Sequence, residues 1–541
     1  MSSAAHDPRP ALAPGVTPNQ LQDWLHDGQE IALLDVREHG QYGEGHLFHA
    51  VPLPWSRLEW DLPRLVPCRH ARVVVYDDGP GDVAGKAWQR LHDLGYHAGF
   101  VLAGGAAAWA ACGQRIFQGV HLPSKTFGEL VEQRLHTPSI SATELARRQA
   151  AGDRLLLLDG RSPPEFRKMN VPGALNCPNG ELALRIGDLA PDPETTVVIS
   201  CAGRTRSIIG AQTLINLGLP NPVLALENGT QGWFLAGLEL EHGQQRCHAP
   251  GLPADLALRQ RQASALGRRH GVQWIGSAQA QAWVDDARRS TFVLDVRTGE
   301  EFAQGSIQGA QHAPGGQLVQ ATDQFVGVRS ARLLLLDSEG VRAPVVASWL
   351  RQMGIDAHVL QDGVAAALRL PPPLQPALPA VPMQTADALA AALASASASA
   401  STCVIDLRPS MAYRRAHVPG ALWSIRPRLS EALASAGLAA DASITLVADE
   451  PAIARLVAQD LMARGQPCPQ LLAGGVGAWE RAGHALESSP ETPDDAQCID
   501  YLFFVHDRHD GNQDAARRYL AWETGLVAQL DARELAAYRI A

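Results

Sequence analysis

An apolar strand ending in Asp-x-Arg occurs four times along this chain, as LLDVR (Asp35, Arg37), LLDGR (Asp159, Arg161), VLDVR (Asp295, Arg297) and VIDLR (Asp406, Arg408). A second apolar strand follows each copy, VVVY, VVIS, LLLL and TLVA. The next residue is Asp77, Cys201, Asp337 or Asp449, standing 42, 42, 42 and 43 residues beyond the first Asp. So constant an offset over long stretches means one structural unit repeated, and a chain of 541 residues is too long for a single core. Two further landmarks keep the same frame. Between the strands lie GHLFHAVPLP, NVPGALNCP, GSIQGAQHAP and HVPGALWSI. Each unit closes on LAGGAAAW (Trp109), LENGTQGW (Trp233), LQDGVAAA or LAGGVGAW (Trp479), so the third copy has lost its Trp.

Each unit opens with a helix whose start is marked by Thr17, Ser141, Ser277 or Thr385, and Gln20 and Glu144 are placed to complete capping boxes with the first two. Short Val/Ile/Leu-rich strands that lack polar alternation are buried on both faces, which implies parallel sheets covered by helices. The expected class is therefore α/β: four tandem domains, each a small parallel sheet flanked by helices. Pro/Gly-bearing stretches at 118–125, 244–253 and 370–382 are read as linkers, the last with three consecutive prolines. The expected divisions are 1–122, 123–246, 247–372 and 373–487, followed by a tail at 488–541. The Ala/Ser run at 386–402 is read as the first helix of the fourth unit, because Ala is the best helix former. In the tail, AARRYLAWETGLVAQL carries apolar residues at helical spacing and should dock on a domain.

Composition narrows the function. Asp and Glu outnumber Lys and Arg by 56 to 46, and no basic run stands out, so the electrostatic footprint of nucleic-acid binding is missing. No stretch of about 18 uncharged apolar residues is present to span a membrane, and the N-terminus does not read as an export signal. Eight cysteines without paired spacings argue against a disulfide framework and a zinc module, and suit a reducing cytoplasm.

Only the second unit carries a thiol after its second strand. Cys201 precedes AGRTRS, after which IIGAQTLINLG reads as a helix. A thiol there faces backbone N–H groups and the positive end of a helix dipole, both of which favour thiolate over the ordinary thiol that titrates near about pH 8.5. Arg204 and Arg206 supply two permanently charged planar donors, suited to bidentate contact with a sulfonate or sulfite group. Ala202, Gly203, Arg204, Thr205, Arg206 and Ser207 are thus the expected substrate-binding loop around a catalytic Cys201. Asp159 and Arg161 are expected to form a buried pair supporting that loop, and their presence in all four copies favours architecture over chemistry.

The order LLDGRSPPEF, VPGALNCP, VVISCAGRTRS, LENGTQGW resembles the rhodanese sulfurtransferases, over roughly residues 15–485. The layout is similar to that of their four-domain bacterial thiosulfate sulfurtransferases. The resemblance implies five-stranded parallel domains, a persulfide intermediate on one cysteine, a small anionic sulfur donor, a thiol or cyanide acceptor, and no metal or organic cofactor. A protein sulfur acceptor is a further partner it allows, and a sulfur-relay protein loaded by a partner enzyme is the alternative function. Phosphatases and arsenate reductases of related architecture place five residues between Cys and Arg, whereas four intervene between Cys201 and Arg206, a ring better sized to one sulfur atom.

Asp77, Asp337 and Asp449 cannot form a persulfide, so units one, three and four are expected to be silent, each carboxylate accepting the amides of its own loop. At the place of Arg206 the third unit keeps Arg342, while the first has Asp82 and the fourth Ala454. Cys177 is expected to be a buried bystander. Asn170 stands where the family commonly has His, which leaves proton delivery unassigned. His506 and His509 are read as surface or domain-contact residues and not as a metal site.

Overall fold

The computed structural model describes residues 13–79, 82–395, 402–437, 442–509 and 511–540. Four five-stranded sheets lie along it, every pairing is parallel, and all four have the same spatial order, with the strands of each unit running 1-5-4-2-3. In the second unit the order is Ser139–Ile140, Val223–Leu226, Thr196–Ser200, Leu155–Asp159, Leu175–Asn176. The Asp-x-Arg strand and the strand leading to Cys201 are neighbours at the centre, with Asp159 paired to Ser200. Side chains alternate across the strand: Val197 and Ile199 enter one apolar cluster and Val198 the other, so both faces are covered, as the unbroken apolar runs require.

Register corrects one assignment. Asp35, Asp159, Asp295 and Asp406 pair with Tyr76, Ser200, Leu336 and Val447. The residue after the strand is therefore Asp77, Cys201, Asp337 and, in the fourth unit, Ala448. Asp449 lies one position further on, which is what its offset of 43 reflects. The closing helix of each unit confirms the alignment. Gly105, Gly229 and Gly363 have positive φ, and a Cβ on them would come within 2.1–2.3 Å of the carbonyl oxygens of Asp77, Cys201 and Asp337; for Gly475 the nearest atom is the Ala448 oxygen at 3.5 Å. Only glycine permits that approach and that backbone conformation.

Thr17, Ser141 and Thr385 cap their helices as expected. Ser277 does not: it is the first helical residue after Gly276, and its hydroxyl donates to Asp362 at 2.9 Å. The two capping boxes form in their forward half, Thr17 and Ser141 accepting from the amides of Gln20 and Glu144, while the Glu144 carboxylate holds Arg147. Loss of the third Trp accompanies loss of a helix, since Gly363–Ala365 is a single 3-10 turn where the other units have helices. The Ala-rich helix runs Ala386–Ala394; residues 396–401 of that run lie outside those described.

Two long helices were not anticipated. Leu122–Leu135 begins inside the stretch read as a linker, and Leu256–Arg269 precedes the first strand of unit three, Trp274–Ile275. The tail does dock, through helix Gln513–Thr524, whose Tyr519 and Leu520 pack with Leu502, Val505 and Leu235, and whose Trp522 donates to the Gln118 carbonyl at 3.0 Å.

Candidate active site

Cys201 leaves the centre of the sheet and is 2% exposed. Its carbonyl accepts from the Thr230 amide at 2.8 Å, and the Ala202 carbonyl accepts from the Gln231 amide at 3.1 Å and side chain at 3.0 Å, which pins the start of the loop to helix Gly229–Leu235. Helix Thr205–Asn216 begins four residues later. The Ser207 hydroxyl, in its first turn, donates to Cys201 Sγ at 3.0 Å. The sulfur thus has a hydroxyl donor beside it and lies next to the start of a helix.

Units one and three show what the matching loops hold. In unit three the Asp337 carboxylate accepts from the amides of Gly340, Val341 and Ala343 at 2.9–3.0 Å. In unit one Asp77 accepts from Gly79 at 2.8 Å and Ala84 at 3.1 Å. Each carboxyl group thus accepts the amides of its own loop, and burial beside Glu339 pushes that of Asp337 up to about 7. The positions in unit two that match the three amides around Asp337 are Arg204, Thr205 and Ser207, and among the described residues their N–H groups have no protein acceptor. By this alignment the three amides stand where their counterparts in unit three meet the Asp337 carboxyl.

The two arginines are placed differently from expectation. Arg206 donates both arms of its fork to Glu165, at 2.7 and 2.8 Å, with Gln317 of unit three at 3.4 Å. Glu165 in turn closes a capping box with Ser162. Burial alone would raise the Glu165 carboxyl, yet the charge of Arg206 and its hydrogen bonds hold it down at about 2. Arg204 donates to Glu129 at 2.8 and 3.0 Å and also pairs with Glu132, both from helix Leu122–Leu135. The bidentate grip on a sulfonate foreseen for these forks is therefore already taken by carboxylates. Burial opposes the charge of Arg206, Glu165 restores it, and Cys201 lies within electrostatic reach of that guanidinium.

Asp159 and Arg161 form the buried pair foreseen for them, with Arg161 Nη2 2.6 Å from the carboxylate and 2.6 Å from the Met169 carbonyl. The same fork recurs as Arg37, Arg297 and Arg408 on Asp35, Asp295 and Asp406, each also donating to a carbonyl, of Gly45, Gly305 and Ala416. This is architecture common to all four units.

Cys177 is fully buried in an apolar cluster, and burial pushes its thiol well up. Asn170 bonds the main chain of Phe166 and Glu241, away from the Cys201 loop. His506 stacks on Tyr501; the side chain of His509 lies outside those described, and no cluster of metal-ligating side chains occurs among the described residues.

Sequence reasoning missed Lys125, Glu129, Glu132, Gln231 and Glu523, which come from other segments. Glu165 alone left a local signal, the S-x-x-E of SPPEF.

Residues 17–112, 141–236 and 277–369 match the Rhodanese-like domain family, more than half of the chain. The crystal structure of thiosulfate sulfurtransferase from Pseudomonas aeruginosa is 40% identical and superposes with a TM-score of 0.89, covering 98% of this chain and 99% of that one. A second thiosulfate sulfurtransferase of Pseudomonas aeruginosa is 29% identical over 216 residues, 33% of this chain and 79% of its own length. The 3-mercaptopyruvate sulfurtransferase of Escherichia coli K12 is 26% identical over 252 residues, 37% of this chain and 89% of its own.

Proposed function

This chain belongs to the rhodanese-like family of sulfurtransferases, and from that premise we propose that Cys201 carries the transferred sulfur and that thiosulfate supplies it. The observation that carries this reading is the Ser207 hydroxyl 3.0 Å from Cys201 Sγ, in a loop whose matching amides in unit three donate to the Asp337 carboxyl oxygens.

The reaction is a double displacement. Cys201 thiolate attacks the outer sulfur of thiosulfate, the S–S bond of the donor breaks, and sulfite leaves with the electron pair. The persulfide then sits among the amides of Arg204, Thr205 and Ser207. An acceptor, cyanide or a thiolate, attacks its terminal sulfur, and the electron pair of the Cys–S bond returns to Cys201. Arg206 contributes positive charge, and Arg204 fastens the loop to helix Leu122–Leu135. The likeness to the 40% identical thiosulfate sulfurtransferase favours thiosulfate over 3-mercaptopyruvate as donor.

Units 1–122, 247–372 and 373–487 are silent in this scheme, with Asp77, Asp337 and Ala448 in place of the thiol. No helix among the described residues is long and apolar enough to cross a membrane, and all eight cysteines are unpaired, which fits the reducing cytoplasm we propose for it. Thiocyanate formation from thiosulfate and cyanide tests the reading: wild type turns over and Cys201→Ser does not, whereas activity retained in the variant overturns it.

A further inference from the structure

Three segments distant in sequence meet behind the Cys201 loop. Glu523, on the tail helix, is 1% exposed; its Oε1 accepts from Lys125 Nζ at 3.1 Å and from Thr205 Oγ1 at 2.9 Å. Its Oε2 is buried without a hydrogen-bond partner and lies 3.1 Å from where a Cβ on Gly203 would stand. Lys125, 7% exposed, also reaches the Tyr519 hydroxyl at 2.5 Å. Gly203 is two residues from Cys201, and consecutive Cα atoms are about 3.8 Å apart, so Glu523 Oε2 lies within about 12 Å of the Cys201 Cα.

Negative charge arrives at this loop twice, as the donor anion and as the persulfide. A carboxylate beside it opposes both, and the lysine favours both. We propose that the buried Lys125–Glu523 pair sets the charge balance of the Cys201 loop, and that Glu523, delivered by the C-terminal tail, is a specificity-determining residue that limits the loop's affinity for anionic sulfur donors. The proposal rests on Cys201 being the sulfur carrier.

The other charged and titratable groups around the pair are accounted for. Glu129 and Arg204 face it from the side of helix Leu122–Leu135 and are matched to one another. Tyr519 and Arg508 face it from the tail, the Arg508 guanidinium lying 3.5 Å from the Tyr519 ring centroid. On the side of the sulfur stand Ser207 and Arg206. Removing one member of the pair leaves a whole buried charge near the loop. At an effective dielectric of about 20, a charge at such a distance moves a pKa by roughly one unit.

The test uses the full chain and three variants, Glu523→Gln, Lys125→Met and the double variant. The readouts are the pH dependence of Cys201 alkylation, followed by peptide mass, and the KM for thiosulfate. Glu523→Gln should speed Cys201 alkylation at neutral pH by up to about tenfold and lower KM several-fold; Lys125→Met should slow alkylation and raise KM by similar factors; the double variant should return to near wild type. A merely structural pair would move both single variants the same way, and that result overturns the proposal, as does a double variant no better than the worse single one. Should Lys125→Met not fold, the sign for Glu523→Gln decides alone: slower or unchanged Cys201 alkylation at neutral pH overturns the proposal. A wild type that takes no sulfur onto Cys201 refutes the functional reading itself, whereas normal loading without the opposed shifts refutes only this inference.

Discussion

Arg206 of the second unit and Arg342 of the third occupy the same place in their loops, and each reaches into the other's unit, Arg206 to Gln317 and Arg342 to Glu181. Gln317 and Glu181 are themselves equivalent, each 22 residues beyond its Asp-x-Arg aspartate, Asp295 or Asp159. Units two and three therefore face each other as the halves of a symmetric dimer would, and the Trp349 indole donating to Thr213 at 2.9 Å joins two further equivalent positions. The third unit thereby packs against the guanidinium that lies near Cys201.

Arg342 shows how firmly that interface is tied. It is 1% exposed and holds Glu339, Glu301 and Glu181 at 2.6–2.9 Å. Arg342→Met leaves Glu339 and Glu301 without their cation and Glu181 with Arg185 alone, so denaturant titration should show a loss of about 3–5 kcal/mol. A loss below about 1 kcal/mol would mean that the cluster is not what joins the units.

Ser207→Ala removes the only side-chain donor to Cys201 Sγ among the described residues. The rate of Cys201 alkylation and kcat/KM at pH 7 should each fall about tenfold, with the midpoint of unfolding little changed. An unchanged alkylation profile would show that the amides hold the thiolate without the hydroxyl.

The register makes its own prediction. In a Cys201→Ser background, Asp337→Cys places a thiol among the amides of Gly340, Val341 and Ala343, beside Arg342, and should regain sulfur loading from thiosulfate. Asp449→Cys, one residue past the matching position, should not. Intact mass after incubation reads both, and the opposite pattern contradicts the alignment.

Glu38 of unit one accepts the Ser56 amide and hydroxyl at 3.1 and 2.8 Å, and burial pushes its carboxyl up to about 7. A carboxyl raised in the fold contributes stability that is complete below its unfolded pKa, near about 4.5, and is lost as pH rises through about 7. Between pH 5 and 8 the wild type should therefore lose up to about 3 kcal/mol relative to Glu38→Gln. Parallel stability curves would contradict a buried, late-titrating Glu38.

The fourfold repeat, the parallel sheets and the single thiol were legible in the sequence because each leaves a local pattern at fixed spacing. The fourth unit misled because an acid next to the right position, Asp449, matches the motif better than Ala448, and only strand pairing separates them. Helix Leu122–Leu135 was hidden behind a proline that here stands in its first turn, after His121 at positive φ. Arg204 and Arg206 were found, but their partners were not, since an ion pair such as Arg204 with Glu129 leaves no trace in either segment. Glu523 meets Thr205 across 318 residues, a contact that tertiary packing alone creates.

The most direct measurement is peptide mass spectrometry of the full chain after incubation with thiosulfate alone. The account predicts one added sulfur atom, on the peptide that carries Cys201, removed again by cyanide and absent from Cys201→Ser. Sulfur on Cys177 or any other cysteine, with Cys201 unmodified, would contradict it.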